Sequence, residues 1–214
     1  MDSDVAAERD AASNAAADLL EADMRVGLGT GSTVGHLLAA IARRKLPVRC
    51  VATSPRTEAA ARQLGIAIEP FTGLDRLDLA IDGADQIAPD GWLVKGGGAA
   101  HTREKLVATT AERFVVIADS TKLVARLHGP VPVELLEFGI GSTLRRLGMA
   151  VLRDVPKSPD GGVIADVDCA LDDPGAVASW LSATPGVIEH GLFPPDMVTM
   201  ALVGCGREVR ELRF

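Results

Sequence analysis

The stretch MRVGLGTGSTVGHLLAAIARR, residues 24–44, decides how the chain is expected to fold. Its beginning, MRVGLG, is a short apolar strand that runs into a glycine-rich turn, and apolar residues then recur at helical spacing over 32–44. The basic residues Arg43, Arg44 and Lys45 suit the end of a helix, where the backbone dipole favours cations. This order of strand, turn and helix predicts a βαβ unit.

The same alternation of strands and helices continues as far as residue 119. Its short turns indicate βαβ units and an α/β fold, in which a parallel sheet is covered by helices on both faces. The remaining predicted helices of this region are 3–22, 55–64 and 103–113, and the remaining predicted strands are 48–53, 66–69, 77–82 and 114–119.

The rhythm changes near Gly129-Pro130-Val131-Pro132. From there the order strand, helix, strand, strand, helix, strand predicts a small α+β unit with an antiparallel sheet. The stretch 197–204 is then expected to return to the main sheet. The predicted domains are therefore 1–130 with 198–214, and 131–197. Within the small domain, the expected elements are a first strand after 130, helices 142–148 and 174–183, and strands 149–155, 163–169 and 187–193.

Composition excludes several classes of protein. The chain has 214 residues and a net charge of −7, which argues against a general nucleic-acid or anionic-membrane binder. No apolar run approaches the roughly 18–20 residues that cross a bilayer, and the acidic N-terminus does not resemble a signal peptide. Cys50, Cys169 and Cys205 form no CxxC pair. The expected compartment is the reducing cytoplasm, without a zinc site.

The first candidate site is the turn GLGTGST, residues 27–33. Its glycines let the backbone approach a ligand, and the N-terminus of the next helix favours an anion such as phosphate. Thr30, Ser32 and Thr33 add hydroxyl donors. The alternative is a plain turn in which Ser32 caps the helix. Ser32 also occupies the third glycine position of the dinucleotide fingerprint, so an oxidoreductase is disfavoured.

The second candidate site is Asp82-Gly83-Ala84-Asp85, directly after a predicted strand. Two carboxylates at a strand end can bind the hydroxyls of a polyol or move protons. The alternatives are an Asp-Gly turn with solvated charges and a magnesium site, for which two carboxylates are weak evidence.

The third candidate site is KGGGAAHTREK, residues 95–105, which precedes and opens a predicted helix. Three consecutive glycines cost conformational entropy, so a purely structural loop rarely carries them. Lys95 can stabilise a phosphate or a developing oxyanion, and Glu104 can act as a general base. Lys122 follows another predicted strand. With no metal or redox motif, the set suits proton transfer beside a carbonyl in a small phosphorylated polyol.

These residues carry a resemblance to a known family. GLGTGST, ATSPRTEAAARQLGI, DGAD, KGGGAAHTREK, ADSTK and PGVIEHGLF occur in the order and at the spacing of ribose-5-phosphate isomerase, type A, over essentially the whole chain. The resemblance implies a Rossmann-like main domain with a small α+β domain inserted before the C-terminal strand. It also implies a cytoplasmic, cofactor-free enzyme of the pentose phosphate pathway, acting on D-ribose 5-phosphate and D-ribulose 5-phosphate as a homodimer or homotetramer.

The resemblance also implies roles for individual residues. Glu104 resembles the base that moves a proton between C2 and C1 through a cis-enediolate. Asp82, Asp85 and Lys95 resemble groups that bind the open-chain sugar, assist ring opening and stabilise the oxyanion. Further substrate-binding positions lie in the two glycine-rich loops, in the turn between Asp82 and Asp85, and at one lysine. They are Thr30, Gly31, Ser32, Thr33, Gly83, Ala84, Gly96, Gly97, Gly98 and Lys122.

Three residues depart from the family pattern. Gln86 stands where the family has Glu, His101 where it has Leu, and Arg9 where some members have Lys. We expect the change at Gln86 to tune activity without abolishing it, and His101 either to pack in the core or to add a polar contact near the substrate. The competing hypotheses are a sugar-phosphate sensor without catalysis, which would need a DNA-binding module, and an amino-sugar-phosphate isomerase or deaminase of the same fold.

Overall fold

The structure is a computed structural model that describes residues 2–206 and 208–214. Short 3-10 helices lie at Ser120–Lys122 and Pro195–Met197. The helices are α1 (Asp2–Ala17), α2 (Ser32–Arg44), α3 (Pro55–Gln63), α4 (His101–Thr110), α5 (Ile140–Leu147) and α6 (Pro174–Ala183). The strands are β1 (Arg25–Leu28), β2 (Arg49–Ala52), β3 (Ala67–Ile68), β4 (Leu79–Gly83), β5 (Gln86–Ile87), β6 (Leu93–Val94), β7 (Phe114–Asp119), β8 (Val131–Leu135), β9 (Ala150–Leu152), β10 (Val163–Val167), β11 (Val187–His190), β12 (Leu192–Phe193), β13 (Met200–Cys205) and β14 (Glu208–Leu212).

The chain forms two compact units. The first contains the residues up to Ala84 together with Arg103–Lys122 and Asp196–Phe214, and the second contains Asp85–Thr102 and Leu123–Pro195. The compact units differ from the predicted domains because 85–102 and 123–130 belong to the second unit. The division at residues 130 and 198 therefore stays a prediction.

The first unit is built on a seven-stranded sheet with the order β14-β13-β7-β4-β1-β2-β3. Its strand pairs are parallel except at the edge, where β14 runs antiparallel to β13. Without β14, the strand order is that of a doubly wound α/β sheet. The order in which the strands follow along the chain reverses between β1 and β4, although these two strands are parallel. The predicted α/β fold with a mainly parallel sheet is confirmed.

The core of the first unit consists of aliphatic residues from the strands and helices. Every residue of β7 is buried, because a strand inside a parallel sheet is covered on both faces. Helix α1 approaches β13 so closely that a Cβ on Gly204 would lie 2.0 Å from the carbonyl oxygen of Glu8. The core residues include Ala12, Ala16, Val26, Leu28, Leu37, Ile41, Ile81, Val115 and Ile117.

The second unit follows the predicted order of strand, helix, strand, strand, helix, strand. Its four-stranded sheet has the order β11-β8-β10-β9, and all of its pairs are antiparallel. This is the split βαβ arrangement of small α+β domains. A three-stranded sheet, β12-β6-β5, also lies in this unit and was not predicted. Its strands are two residues long and leave no periodic signal in the sequence.

Some predicted boundaries are wrong. The predicted strand 187–193 is divided at Gly191, where a Cβ would lie 2.1 Å from the carbonyl oxygen of Lys95. Its two parts therefore belong to different sheets. Helix α1 ends at Ala17 instead of residue 22, and β9 ends at Leu152 instead of residue 155. In the described part of the chain, none of the helices is long and apolar enough to cross a membrane.

Candidate active site

The turn after β1 contacts the carboxylate of Asp82, near the end of β4. The strands pair with Leu28 opposite Ile81, so Gly29 lies beside Asp82. The backbone N–H of Thr30 donates to Oδ1 of Asp82 at 3.1 Å. A Cβ on Gly29 would lie 1.8 Å from the same oxygen, so a side chain cannot fit here without moving Asp82. The first two predicted sites are therefore joined in the first unit.

A cluster of hydroxyl groups holds this turn from the other side. Oγ1 of Thr30 lies 2.8 Å from Oγ1 of Thr53 and donates to Oγ of Ser54 at 2.8 Å. Oγ1 of Thr57 donates to the carbonyl oxygen of Gly29 at 2.9 Å. We call Thr30, Thr53, Ser54 and Thr57 the hydroxyl cluster. Apart from Thr30, the sequence pointed to it only through the family motif ATSPRTEAAARQLGI.

The turn leads into the N-terminus of α2. Gly31, with φ of +141°, occupies the position before the helix, and no side chain caps it among the described residues. The alternative in which Ser32 caps the helix is thus wrong. Gly31 and Ser32 are exposed, whereas Thr33 is buried and its carbonyl accepts a hydrogen bond from Ser13. The first N–H groups of a helix lack partners within it and can bind an anion.

The site of the first unit contains two carboxylates that are almost completely buried. Asp82 and Glu104 are each 3% exposed. The N–H of Gly83 donates to Oδ1 of Asp82 at 2.7 Å, and Ala84 is half-buried next in the chain. Glu104 lies in the first turn of α4, which begins at His101, two residues before the predicted start. Carboxylates are rarely buried to this extent without a specific role.

The glycine-rich loop of the second unit is held by several different contacts. Lys95 is 2% exposed, its N–H donates to the carbonyl of Gly191 at 2.8 Å, and its ammonium lies 5.3 Å from the ring centre of Phe193. Gly96 has φ of +110°, a conformation that favours glycine. The N–H of Gly97 donates to Oδ2 of Asp85 at 2.8 Å. Within the second unit, Asp85 of the second predicted site therefore contacts the loop of the third.

Lys122 ends a short 3-10 helix that is anchored by α1. Glu8 accepts hydrogen bonds from the N–H and hydroxyl of Ser120 and from the N–H of Gly206, at 2.9, 2.7 and 2.7 Å. These hydrogen bonds lower the pKa of Glu8 below its ordinary value, and the bond from Gly206 contributes most. The sequence did not identify Glu8 as the residue that holds this segment, because a single acidic residue in an acidic helix gives no distinctive signal.

Arg9, which stands where some family members have Lys, forms a hydrogen-bonded ion pair with Asp119. Its Nε donates to Oδ2 of Asp119 at 2.8 Å. Burial alone would raise the pKa of Asp119, but hydrogen bonds from Thr121 and Arg9 and the charge of Arg9 outweigh it and lower this pKa. Arg9 therefore helps to hold Asp119, the residue directly before the 3-10 helix that ends at Lys122.

The departures at Gln86 and His101 lie in the second unit. The amide nitrogen of Gln86 donates to the carbonyl of His128 at 2.8 Å, and its oxygen accepts from the N–H of His128 at 2.9 Å. A carboxylate could not make the first of these bonds, so the change from Glu to Gln permits a two-point contact. His101 is fully buried, and its ring lies 2.9 Å from where a Cβ on Gly96 would stand.

Two of the cysteine thiols have pKa values above the ordinary value. Burial, with a smaller contribution from the charge of Glu69, raises the pKa of the Cys50 thiol to about 12. Burial also raises the pKa of Cys169. Within residues 2–206 and 208–214, no group of three or more His, Cys, Asp and Glu side chains is arranged to hold a metal ion.

The sheet and its buried charged groups define an α/β enzyme whose loops lie at the point where strand order reverses. A family model for ribose 5-phosphate isomerase A (phosphoriboisomerase A) matches residues 49–208. The chain belongs to this family and is an isomerase. Neither the sensor nor the amino-sugar-phosphate hypothesis is favoured by the comparisons.

The similarity extends over most of the chain. Ribose-5-phosphate isomerase A from Methanosarcina acetivorans is 44% identical over 201 residues, which cover 87% of this chain and 86% of that protein. The solved structure of ribose 5-phosphate isomerase A from Methanocaldococcus jannaschii aligns with a TM-score of 0.90 at 32% identity, over 96% and 98% of the two chains. A D-ribose-5-phosphate isomerase in complex with phospho-erythronic acid aligns with a TM-score of 0.89 at 32% identity, over 96% and 97%.

Proposed function

We propose that this isomerase interconverts D-ribose 5-phosphate and D-ribulose 5-phosphate through a cis-enediolate. The observation that carries the proposal is the burial of three charged side chains at family motif positions. Asp82, Lys95 and Glu104 are no more than 3% exposed. Burying a charge is costly unless it is paired or used, and groups that bind or transfer protons are commonly buried in this way.

In the proposed reaction, Glu104 moves the proton between carbon atoms. Its carboxylate removes the proton from C2 of the open-chain aldose, and the electron pair forms the C1–C2 double bond as the C1 carbonyl oxygen becomes an enediolate oxygen. Glu104 then returns the proton to C1, and the O2 proton is transferred to O1. Substrate and product are isomers, so the steps need no oxidant or reductant. A positioned base contributes roughly 10²–10⁴ in rate.

The remaining charged groups are proposed to bind the sugar and stabilise the intermediate. Lys95 is assigned to the enediolate oxygen, because a buried cation stabilises developing negative charge more strongly than one in water. Asp82 and Asp85 are assigned to the sugar hydroxyls and to ring opening. Their carboxylates are oriented by the backbone N–H groups of Thr30, Gly83 and Gly97.

The loops are proposed to hold the phosphorylated substrate. Donors at the N-terminus of α2 and the ammonium of Lys122 suit an anion. The related isomerase that binds phospho-erythronic acid supports a phosphorylated hydroxy compound as the ligand. We assign Thr30, Gly31, Ser32, Thr33, Gly83, Ala84, Gly96, Gly97, Gly98 and Lys122 to substrate binding. The proposed setting is the cytoplasmic non-oxidative pentose phosphate pathway, and the proposed assembly is a homodimer or homotetramer without a cofactor.

The decisive experiment follows the conversion of D-ribose 5-phosphate by chelator-treated protein in D₂O. Solvent deuterium at C1 of the ketose would report transfer of a carbon-bound proton. Glu104→Gln is expected to abolish turnover with little change in binding. Glu112→Gln is the matched control, because Glu112 is half exposed and pairs with Arg76.

Three outcomes would contradict parts of the proposal. Turnover of Glu104→Gln within tenfold of the unsubstituted protein would exclude Glu104 as the base. Loss of activity in EDTA that a divalent ion restores would exclude the metal-free mechanism. Saturable binding without turnover in the unsubstituted protein would favour a sugar-phosphate sensor.

A further inference from the structure

One peptide group of the second unit is held at both ends by charged side chains. The carbonyl oxygen of Gly96 accepts from Nη1 of Arg153 at 2.8 Å. The N–H of Gly97 donates to Oδ2 of Asp85 at 2.8 Å. These two groups belong to the same planar peptide and therefore turn together. A cation on one side and an anion on the other thus fix the direction in which this peptide points.

Arg153 is itself held firmly in place. It follows β9, and its Nε and Nη2 donate to the two oxygens of Asp166 at 2.6 and 2.5 Å. Its side chain is 19% exposed and that of Asp166 is 24% exposed. A guanidinium has enough donors, in a rigid plane, to bind a carboxylate with two nitrogens and a carbonyl with the third. A lysine ammonium does not offer this planar geometry.

The loop needs such an external constraint because its own sequence provides little. Gly96 and Gly97 have no side chains, and glycine explores more backbone conformations than any other residue. Ala99 donates to the carbonyl of Gly96 at 3.1 Å, which closes the turn locally. If the peptide were to flip, however, the Gly96 carbonyl would face the carboxylate of Asp85, and two negative groups would be brought together.

We infer that Arg153, fixed by Asp166, is a positioning residue for Asp85 and acts through the peptide that joins Gly96 and Gly97. The inference rests on the proposed function, in which Asp85 binds the open-chain sugar and assists ring opening. Arg153 does not touch the substrate in this account. It keeps the Gly97 N–H directed at Asp85, so that the carboxylate keeps one orientation towards the sugar.

The test begins with Arg153→Met and the conservative variant Arg153→Lys. A misplacement of about 1 Å can cost up to about 10²-fold in rate. In Arg153→Met the Asp85 carboxylate is kept and loses only its fixed orientation, so kcat/KM is expected to fall by about tenfold. Arg153→Lys and Asp166→Asn are expected to cause smaller losses in the same direction. Arg146→Met, which replaces an exposed arginine on α5, is the matched control and should retain full activity.

A double-mutant cycle with Asp85→Asn separates positioning from general destabilisation. If Arg153 acts through Asp85, then Arg153→Met should reduce the activity of Asp85→Asn by less than about twofold, because directly coupled residues are not additive. If the two losses multiply, the inference is wrong. Should Arg153→Met fail to fold, the same cycle with Asp166→Asn gives the answer.

The amide resonance of Gly97 provides a readout that does not depend on turnover. Both Arg153→Lys and Asp85→Asn should shift this resonance in a ¹H–¹⁵N spectrum, whereas Arg146→Met should not. An unchanged Gly97 resonance in Arg153→Lys would overturn the inference even if activity fell. If the unsubstituted protein fails to isomerise D-ribose 5-phosphate, the proposed function fails, and the resonance still reports whether Arg153 orients the peptide.

Discussion

Two glycine-containing turns, one in each compact unit, are held by different chemistry. The turn at 29–33 is supported by the hydroxyl cluster, together with one contact from its backbone to Asp82. The loop at 95–98 is supported by a guanidinium on one side and a carboxylate on the other. Neutral hydroxyls orient a backbone without adding charge, which suits the proposed binding of a phosphate. Opposite charges polarise a peptide, which suits the proposed proton transfer, in which negative charge develops.

Among substitutions in the two turns, the largest expected effect is that of Gly29→Ala. The new Cβ would lie 1.8 Å from Oδ1 and 2.5 Å from Cβ of Asp82, so the whole buried side chain must move. We expect kcat/KM to fall by at least about 10²-fold and stability to fall by about 1–3 kcal/mol, measured by steady-state kinetics and urea unfolding.

The matched control for this substitution is Gly35→Ala in the interior of α2. A Cβ there would meet nothing within 4 Å. It should leave activity unchanged and raise stability by about 0.5–1 kcal/mol. Equal losses in both variants would mean that Gly29 is not in close contact with Asp82.

A smaller effect is expected from Gly97→Ala in the charged loop. Here the three atoms nearest the new Cβ would be the carboxylate oxygens and carbon of Asp85, at 2.8 to 3.2 Å. This carboxylate is the end of a half-buried side chain and can turn away. We expect a loss in kcat/KM of about tenfold, equivalent to about 1.4 kcal/mol. A loss as large as that of Gly29→Ala would remove the distinction between the two turns.

Thr57→Val tests the hydroxyl cluster itself. The substitution removes the donor to the Gly29 carbonyl and leaves a buried acceptor without it, which commonly costs about 1–3 kcal/mol. We expect lower stability in urea unfolding and a KM raised several-fold, with kcat little changed. Thr109→Val, at an exposed position on α4, should change stability by less than about 0.5 kcal/mol. A fall in kcat at constant KM would contradict a role in substrate binding.

The smallest effect on activity at neutral pH is expected from Glu8→Gln. The pKa of Glu8 is lowered in the folded state, so its contribution to stability is present above the unfolded pKa of about 4.3 and is lost as pH falls through the folded value. The difference in Tm between the unsubstituted protein and Glu8→Gln should therefore shrink below about pH 4. Glu21→Gln, at an exposed residue, controls for the lost charge. A Tm difference that is constant from pH 3 to 7 would refute this account.

Sequence reasoning succeeded where a signal is local and periodic. Helices 32–44 and 174–183 and strand 114–119 have the predicted bounds, because caps, turns and apolar periodicity mark both ends of each. The first two candidate groups and Lys122 were proposed because each follows a predicted strand, and the third was proposed from its three consecutive glycines. Their roles remain predictions.

Contacts between distant segments could not be read from the sequence in the same way. The division of 187–193 depends on a close approach to Lys95, which only the folded chain reveals. The bond between Arg153 and Gly96 joins residues 57 positions apart, and that between Glu8 and Gly206 joins residues 198 positions apart. Arg153 and Asp166 lie on or beside two paired strands, β9 and β10. Their ion pair could have been predicted only if the register of these strands had been known.

The bond between Glu8 and Gly206 has a consequence for synthesis of the chain on the ribosome. The first unit needs its C-terminal segment, because β13 lies between β7 and β14 and contacts α1. The last residue of the second unit, Pro195, is translated before β13. We therefore expect the second unit to acquire its structure cotranslationally, while the central sheet is completed only after β13 and β14 emerge. Until then the edge of β7 is open, and premature termination should yield chains that chaperones or proteases recognise.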